Sequence, residues 1–307
     1  MRVAFLGTSR FARPALAAVA DRHEISLVVT QPDRPVGRHG RLRPPPIKEE
    51  AARLELPLFQ PERINTNDAI ERLRGAEPEV IVVVAYGQIL KREVFTAAPL
   101  GAINIHASLL PAYRGAAPIH WAIIRGETVT GVTTILIDAG MDTGDVLVTR
   151  STDIGSDETA GDLEERLAHL GADAILETLE QLRDGTLEAH PQAKDGVSLA
   201  PLMTRDDGRI DWTLPAKRVH DLVRGTSPWP GAWTLLQGER VKVHRTARTD
   251  IDCGPIRPGE IGLRGTDRLL VGTADRLLEI REVQREGRPR IDGAAFLHGL
   301  RGPARFG

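Results

Sequence analysis

Cysteine is nearly absent from this chain. Cys253 is the only one among 307 residues, which excludes an internal disulfide framework and a multi-cysteine zinc site and fits a reducing compartment such as the cytoplasm. No apolar run approaches the roughly 18 residues that a membrane-spanning helix needs, so no membrane partner is expected. There is no Gly-Lys-Ser/Thr phosphate loop, and Gly7-Thr8-Ser9 lacks the spaced glycines of a dinucleotide fingerprint. Nucleotide hydrolysis and nicotinamide chemistry are therefore disfavoured. His106, Asp138, Asp142 and Asp145 carry no His-x-x-x-His or cysteine pairing beside them, so no metal is expected. The opening Met1–Thr8 is too short and apolar for a secretory signal and reads as a strand entering a turn.

With 41% hydrophobic and 27% charged residues, the composition is that of a soluble globular protein long enough for two domains. The net charge of −2 gives no general attraction for nucleic acid, but it is unevenly spread. From Asp206 onward 18 Lys and Arg stand against 14 Asp and Glu, while the preceding part has 22 against 28. This mild C-terminal basicity is within the range of chance.

Val3–Leu6, Ile25–Thr30 and Ala102–His106 read as strands, and so does Val132–Ile137. The continuous β-branched run Val80–Tyr86 suits a parallel sheet covered on both faces. Phe11–Val19, Ile47–Leu54 and Pro118–Ile124 read as helices, as does a long segment Asp157–Leu182 with Asp157 as N-cap. The segment Gln31–Pro46, rich in Pro, Gly and Arg, carries no periodicity and predicts no regular element. This alternation indicates a doubly wound, mostly parallel α/β domain over residues 1–188. An irregular linker, 189–206, follows. Residues 207–307 then show a helix at Leu214–Val223 and short strands at Trp233–Leu236, Arg240–His244, Leu269–Val271 and Leu277–Ile280. They suggest a small antiparallel OB-like barrel, with a last helix at Ala294–Leu300 capped by Asp292.

The chemistry concentrates in Ile103–Pro111 and Gly140–Asp145. Asn104 and His106, two apart on a strand, project from one face while Ile103 and Ile105 face a core. Asp142 sits in a Gly-flanked loop able to return to His106. Such a set suits an acyl transfer in which an amine attacks a carbonyl carbon: the amide stabilises the oxyanion, and the imidazole and carboxylate manage protons. The strand ends, Tyr86-Gly87 among them, lie where open α/β sheets bind ligands. Arg34, Arg38, Arg41, Arg43 and Lys48 form a basic run without an intervening acid. It reads equally as a phosphate-reaching loop and as a solvated surface loop. For Trp212, Trp229 and Trp233, packing is the preferred reading over stacking on bases.

Together these residues resemble the methionyl-tRNA formyltransferases of the folate-dependent formyltransferase family. The likeness runs through Gly7–Ala12, Thr30–Arg38, Ala85–Leu90, Asn104–Pro111, Arg114–Ile119, Asp138–Asp145, Arg209–Trp212 and Pro228–Pro230. The resemblance implies formyl transfer from 10-formyltetrahydrofolate to the α-amino group of methionyl initiator tRNA, in translation initiation, with Asn104, His106 and Asp142 catalytic. It places folate against Ser108, Leu109, Leu110 and Pro111, the Tyr86, Gly87, Gln88, Ile89 and Leu90 backbone, and the Asp138–Asp142 loop with Asp138 and Gly140. It assigns tRNA contact to Arg34, Arg38, Arg41, Arg43 and Lys48. For the barrel, Lys217, Arg218, Lys242, Arg245 and Arg248 are the candidate phosphate contacts, Lys242 foremost. Ser9, Lys91, Ala112 and His120 depart from the common family pattern. The alternative is another folate-dependent formyl enzyme, an amino-sugar N-formyltransferase or a formyltetrahydrofolate hydrolase. No long apolar face demands a dimer, so a monomer is expected.

Overall fold

The computed structural model describes residues 1–36, 40–262, 267–300 and 304–307. In chain order the first half runs β1 (Arg2–Gly7), α1 (Arg13–Arg22), β2 (Glu24–Val29), β3 (Arg34–Val36), β4 (Arg41–Arg43), α2 (Pro46–Arg53), β5 (Leu58–Phe59), α3 (Asn67–Arg74), β6 (Val80–Val84), α4 (Arg92–Phe95) and β7 (Ala102–His106). It continues with β8 (Arg114–Gly115), α5 (Pro118–Ile124), β9 (Val129–Leu136), β10 (Val146–Asp153), α6 (Ala160–Asp184) and β11 (Leu199–Ala200). The remainder holds α7 (Ala216–Gly225), β12 (Ala232–Leu236), β13 (Glu239–Asp252), β14 (Ile261–Gly262), β15 (Leu269–Gly272), β16 (Arg276–Arg285), β17 (Ile291–Asp292) and α8 (Gly293–His298). Two compact units result: 1–115 with 130–152 and 164–199, and 116–129 with 153–163 and 200–307.

The first unit is a seven-stranded sheet in the order β10-β9-β7-β6-β1-β2-β5. The β5-β2-β1-β6-β7 stretch is parallel, and β9 runs antiparallel to β7. All five residues of β6 are buried, as a strand covered on both faces requires. From β1 the chain leaves to β2 on one side and later returns to β6 on the other, so the order reverses between β1 and β6 and a crevice opens at their carboxyl ends. At Gly7, the last residue of β1, a side chain would press on Phe5 and the Val84 carbonyl of β6, so the position calls for glycine. Beside it, the Thr8 hydroxyl donates to the Tyr86 carbonyl at 2.7 Å, fixing the loop that follows β6.

Two local readings are corrected. Residues 34–36 and 41–43 pair as an antiparallel ribbon, with Arg34 opposite Arg43, Pro35 opposite Leu42 and Val36 opposite Arg41. Proline is tolerated in a two-stranded ribbon, where each strand has a free edge. The long helix is capped by Thr159 and not by Asp157. The Thr159 hydroxyl accepts the Asp162 N–H (3.2 Å) while the Asp162 carboxylate accepts the Thr159 N–H (3.1 Å), a reciprocal capping box.

In the second unit, where a small antiparallel OB-like barrel is expected, an antiparallel sheet, β12-β13-β16-β15-β14 with β17 on β16, curls into a half-barrel. Fourteen-residue β13 shifts register against β16 at three places, and such bulges bend a strand. Residues 304–307 bridge the open side: Gly307 exchanges hydrogen bonds with Leu235, next to the Phe306–Leu236 bridge, and Phe306 donates to Gly259. Phe306 then stacks between Trp212 and Phe296 in the core.

Among the described residues four histidines are held below their ordinary range chiefly by burial: His23, His120, His220 and His244. The clearest is His220, whose Nδ1 meets the Thr246 hydroxyl (2.9 Å) and whose Nε2 donates to the Ser156 carbonyl (3.0 Å). Unfolding raises each toward about 6.5, so the unfolded chain binds more protons below that pH. The stability these groups contribute is complete above about pH 6.5 and is lost as pH falls through the folded values. The urea midpoint should therefore drop between pH 7.5 and 5.5, and His220→Gln should flatten that slope; an unchanged slope would remove His220 from the effect.

Candidate active site

Asn104 is the middle residue of β7 and His106 its last, with Asn104 beside Val83 of β6 and His106 beside Thr133 of β9. The alternate residues Ile103 and Ile105 are buried on the other face, where Gly171 of α6 comes so near Ile105 that an added Cβ would lie 2.9 Å from its Cγ2. The strand thus presents its polar pair to one side and its aliphatic pair to the core, as the spacing predicts. Among the described residues the Asn104 carboxamide takes no hydrogen-bond partner.

His106 is 5% exposed. Its Nε2 lies 2.9 Å from the Tyr113 carbonyl, which only accepts, so Nε2 carries the hydrogen. That leaves Nδ1 facing Asp142 Oδ2 at 3.6 Å. The same carboxylate oxygen accepts the Gly115 N–H at 2.8 Å. Residues 113 and 115 therefore orient both members of the pair. They are themselves held by Ser198, whose hydroxyl accepts the Tyr113 N–H and whose carbonyl accepts the Arg114 N–H, both at 2.9 Å.

Backbone strain gathers here. Ala85 (φ +45°), Tyr113 (φ +61°) and Asp142 (φ +53°) all adopt the left-handed region that glycine prefers, at about 1–3 kcal/mol each. The loop bearing Asp142 is built to hold that conformation. The Asp138 carboxylate accepts the Thr143 hydroxyl (2.7 Å) and the Gly140 N–H (3.0 Å), and a side chain at position 144 would collide with the Leu136 carbonyl.

The folate candidates fall on this unit. Ser108 is fully buried and its hydroxyl donates to the Ala112 carbonyl (2.6 Å), so it shapes the Leu109–Pro111 turn from inside. Thr133 fastens that turn, donating to the Ser108 carbonyl (2.7 Å) and accepting the Leu110 N–H (3.2 Å). After β6, Gly87 takes φ +88°. Gln88 reaches the Ile64 N–H and the Glu62 carbonyl, and Asn65 pins Ile89 and Lys91. Leu90 packs on the core, whereas Ile89 is 80% and Met141 62% exposed. Burial pushes the Tyr86 phenol up, and its hydroxyl has no partner among the described residues.

The basic candidates divide. Lys48 is committed to Asp33 (2.8 Å) and Arg34 to Glu62 (3.2 Å), bracing the root of the ribbon. Arg41 and Arg43 are exposed on β4; Arg38 lies outside the described residues. In the second unit Lys242 is exposed on β13. Arg245 and Arg248 line a cavity of about 570 Å³ with His244, Arg281 and Arg290, the last two unforeseen from sequence. Lys217 is tied to Asp221 (2.7 Å). Also unforeseen are Thr133, on a strand that the sequence predicts, and Arg114, Gln192 and Ser198; their roles arise only from contacts far along the chain.

Residues 1–179 match the formyl transferase family and residues 202–301 the formyl transferase C-terminal domain. The methionyl-tRNA formyltransferase of Pelobacter propionicus is 48% identical over 97% of this chain and 92% of its own length. That of Solibacter usitatus is 48% identical over 98% and 96%. Among solved structures, HypX from Aquifex aeolicus in complex with tetrahydrofolic acid matches with a TM-score of 0.64 at 21% identity, over 97% of this chain and 47% of that one. WlaRD, a sugar 3N-formyl transferase, matches with a TM-score of 0.68 at 16% identity, over 94% and 99%; both are likenesses of fold. No helix among the described residues is long and apolar enough to cross a membrane. With both halves matched and near-full-length relatives at almost half identity, the chain belongs to the formyl transferase family, among the methionyl-tRNA formyltransferases.

Proposed function

We propose that this chain transfers the formyl group of 10-formyltetrahydrofolate to the α-amino group of methionyl initiator tRNA. The observation that carries the chemistry is the unpartnered Asn104 carboxamide two residues from a buried His106 that faces Asp142. The neutral amine attacks the formyl carbon, and the Asn104 N–H donates to the oxygen as it becomes an oxyanion. The amine must then lose a proton and the departing folate nitrogen must gain one. Asp142, whose side chain is more exposed than that of His106, receives the first, and the His106–Asp142 pair returns it. Asp142→Asn should lower the rate and alter the pH–rate profile; an unchanged rate and profile would remove Asp142 from the mechanism.

Folate lies against the 86–90 backbone, the Ser108–Pro111 turn and the 138–142 loop, where exposed Ile89 and Met141 offer apolar surface to a flat heterocycle. The formyl-folate and catalytic part runs through residues 1–188 together with 189–199 of the stretch that reads from sequence as a linker, and 207–307 form the tRNA-binding domain. Arg38, Arg41 and Arg43 reach tRNA phosphates, Lys242 contributes from the barrel, and Arg34 and Lys48 support the ribbon through their carboxylate partners. The protein acts as a monomer in the cytoplasm.

The deciding assay is transfer of labelled formyl to methionyl initiator tRNA, with free methionine, elongator methionyl-tRNA and an amino sugar as parallel acceptors. Transfer to the initiator is the expected result; formate release or transfer to the sugar instead would overturn the tRNA assignment. In the same assay Arg41→Ala/Arg43→Ala should raise KM for methionyl-tRNA by about tenfold at 150 mM salt, with a salt slope shallower by about 1–2, because two phosphate contacts are lost. Folate affinity should not move. Equal loss for both substrates would detach the ribbon from tRNA.

A further inference from the structure

Gln192 lies in a segment without regular structure, fifty residues beyond Asp142, yet its carboxamide closes the catalytic loop. Its Nε2 donates to the carbonyl of Asp142 at 2.7 Å and to that of Gly144 at 2.9 Å. Its Oε1 accepts from Arg114 Nη2 at 2.6 Å and Nε at 3.1 Å. The polarity is complete on both sides. A guanidinium only donates and two carbonyls only accept, so the amide has one orientation that satisfies all four bonds. A glutamate of equal length would set an oxygen against the two carbonyls.

The geometry ties this clamp to the chemistry. Arg114 sits between Tyr113, whose carbonyl holds His106 Nε2, and Gly115, whose N–H holds Asp142 Oδ2. Gln192 therefore links the backbone that orients His106 to the backbone that carries Asp142. It grips the loop at the residue in left-handed conformation and again two residues later, fixing the direction in which the Asp142 carboxylate leaves the chain. The neighbouring segment needs no such staple to stay in place, because His190 already exchanges two backbone hydrogen bonds with Val146 (2.8 and 2.9 Å).

We infer that Gln192 is a positioning residue for the Asp142 carboxylate, an inference that rests on the formyl-transfer reading of the site. It touches no substrate; it acts through the loop and through Arg114. Misplacing a reacting group by about 1 Å costs on the order of 100-fold in rate.

The test is a double-mutant cycle on the full chain, with formyl transfer to methionyl-tRNA and thermal melting as readouts. Gln192→Glu should lower kcat by about 100-fold, with KM for methionyl-tRNA within about threefold and Tm nearly unchanged. In an Asp142→Asn background the same change should cost less than about threefold more, because its target is already gone. A kcat for Gln192→Glu within about threefold of the parent, or a full multiplicative loss in the double variant, would overturn the inference. Should Gln192→Glu melt far below the parent, Gln192→Met, which keeps the length without a charge, goes through the same cycle with the same deciding outcomes. A parent chain that formylates no methionyl-tRNA sinks the functional reading itself. A parent that does so, with independent Gln192 and Asp142 effects, sinks only the role given to Gln192.

Discussion

Replacing Asn104 by alanine is expected to raise the barrier to formyl transfer by about 2.7–4 kcal/mol, a fall of about 10²–10³-fold in kcat. The size follows from where the group stands. Its carboxamide is held on a strand inside a seven-stranded sheet and is not spent on another protein group among the described residues. A donor already aimed at the developing oxyanion need not reorganise during the reaction, which is why a single such bond is worth so much. Folate affinity, measured by fluorescence quenching, should change by less than about threefold, because the bond strengthens only as charge develops on the oxygen. Asn104→Asp should be no better than alanine, since a carboxylate repels the oxyanion. A kcat for Asn104→Ala within about threefold of the parent would mean that another donor holds that oxygen.

The largest effect on stability is expected in the second unit, from Arg224→Met. Arg224 and Asp221 are both buried. The guanidinium donates twice to Asp221 Oδ1 (2.8 Å each) and through Nη1 to the carbonyls of Gly155 (2.9 Å) and Glu158 (3.0 Å). Removing it takes from a buried carboxylate and two carbonyls their shared donor, and leaves Asp221, among the described residues, with the half-exposed Lys217. The loss should be about 3–5 kcal/mol, seen as a Tm lower by about 10 °C. The comparison is Arg22→Ala, which breaks an ion pair of similar length, 2.7 Å to Glu180, but with both partners about half exposed; it should cost less than about 1 kcal/mol. Equal losses from the two substitutions would show that burial is not what gives the Arg224 pair its weight.

The parts of this molecule legible in its sequence are those set by local physics. Val80–Val84 announces a doubly covered strand because every residue is apolar and β-branched. Asn104 and His106 declare a shared face because a strand alternates with period two, and Asp292 caps its helix as expected, accepting the Ala295 N–H at 2.7 Å. The pairing of 34–36 with 41–43 is not legible, because proline is counted as a breaker while a free-edged ribbon accommodates it. The barrel's reach was legible only in part. Arg240–His244 alternates cleanly, but bulges carry β13 on to Asp252, and two-residue strands such as β14 have no period to read. Gln192 had no signal at all. A side chain that hydrogen-bonds a loop fifty residues away leaves no mark on composition or periodicity, and Ser198, eighty-five residues beyond Tyr113, is the same case.

The position of these two residues bears on what counts as a transplantable part. A chain cut after residue 179, or after 188, would keep every strand of the large sheet and all of Asn104, His106 and Asp142. It would discard Gln192 and Ser198, which brace the Asp142 loop and the Tyr113–Arg114 turn from outside. The smallest piece that carries the site intact therefore runs to about residue 200. An engineer grafting this module onto another domain should place the junction beyond Leu199, since the stretch that looks most like spare connecting chain is part of the tool.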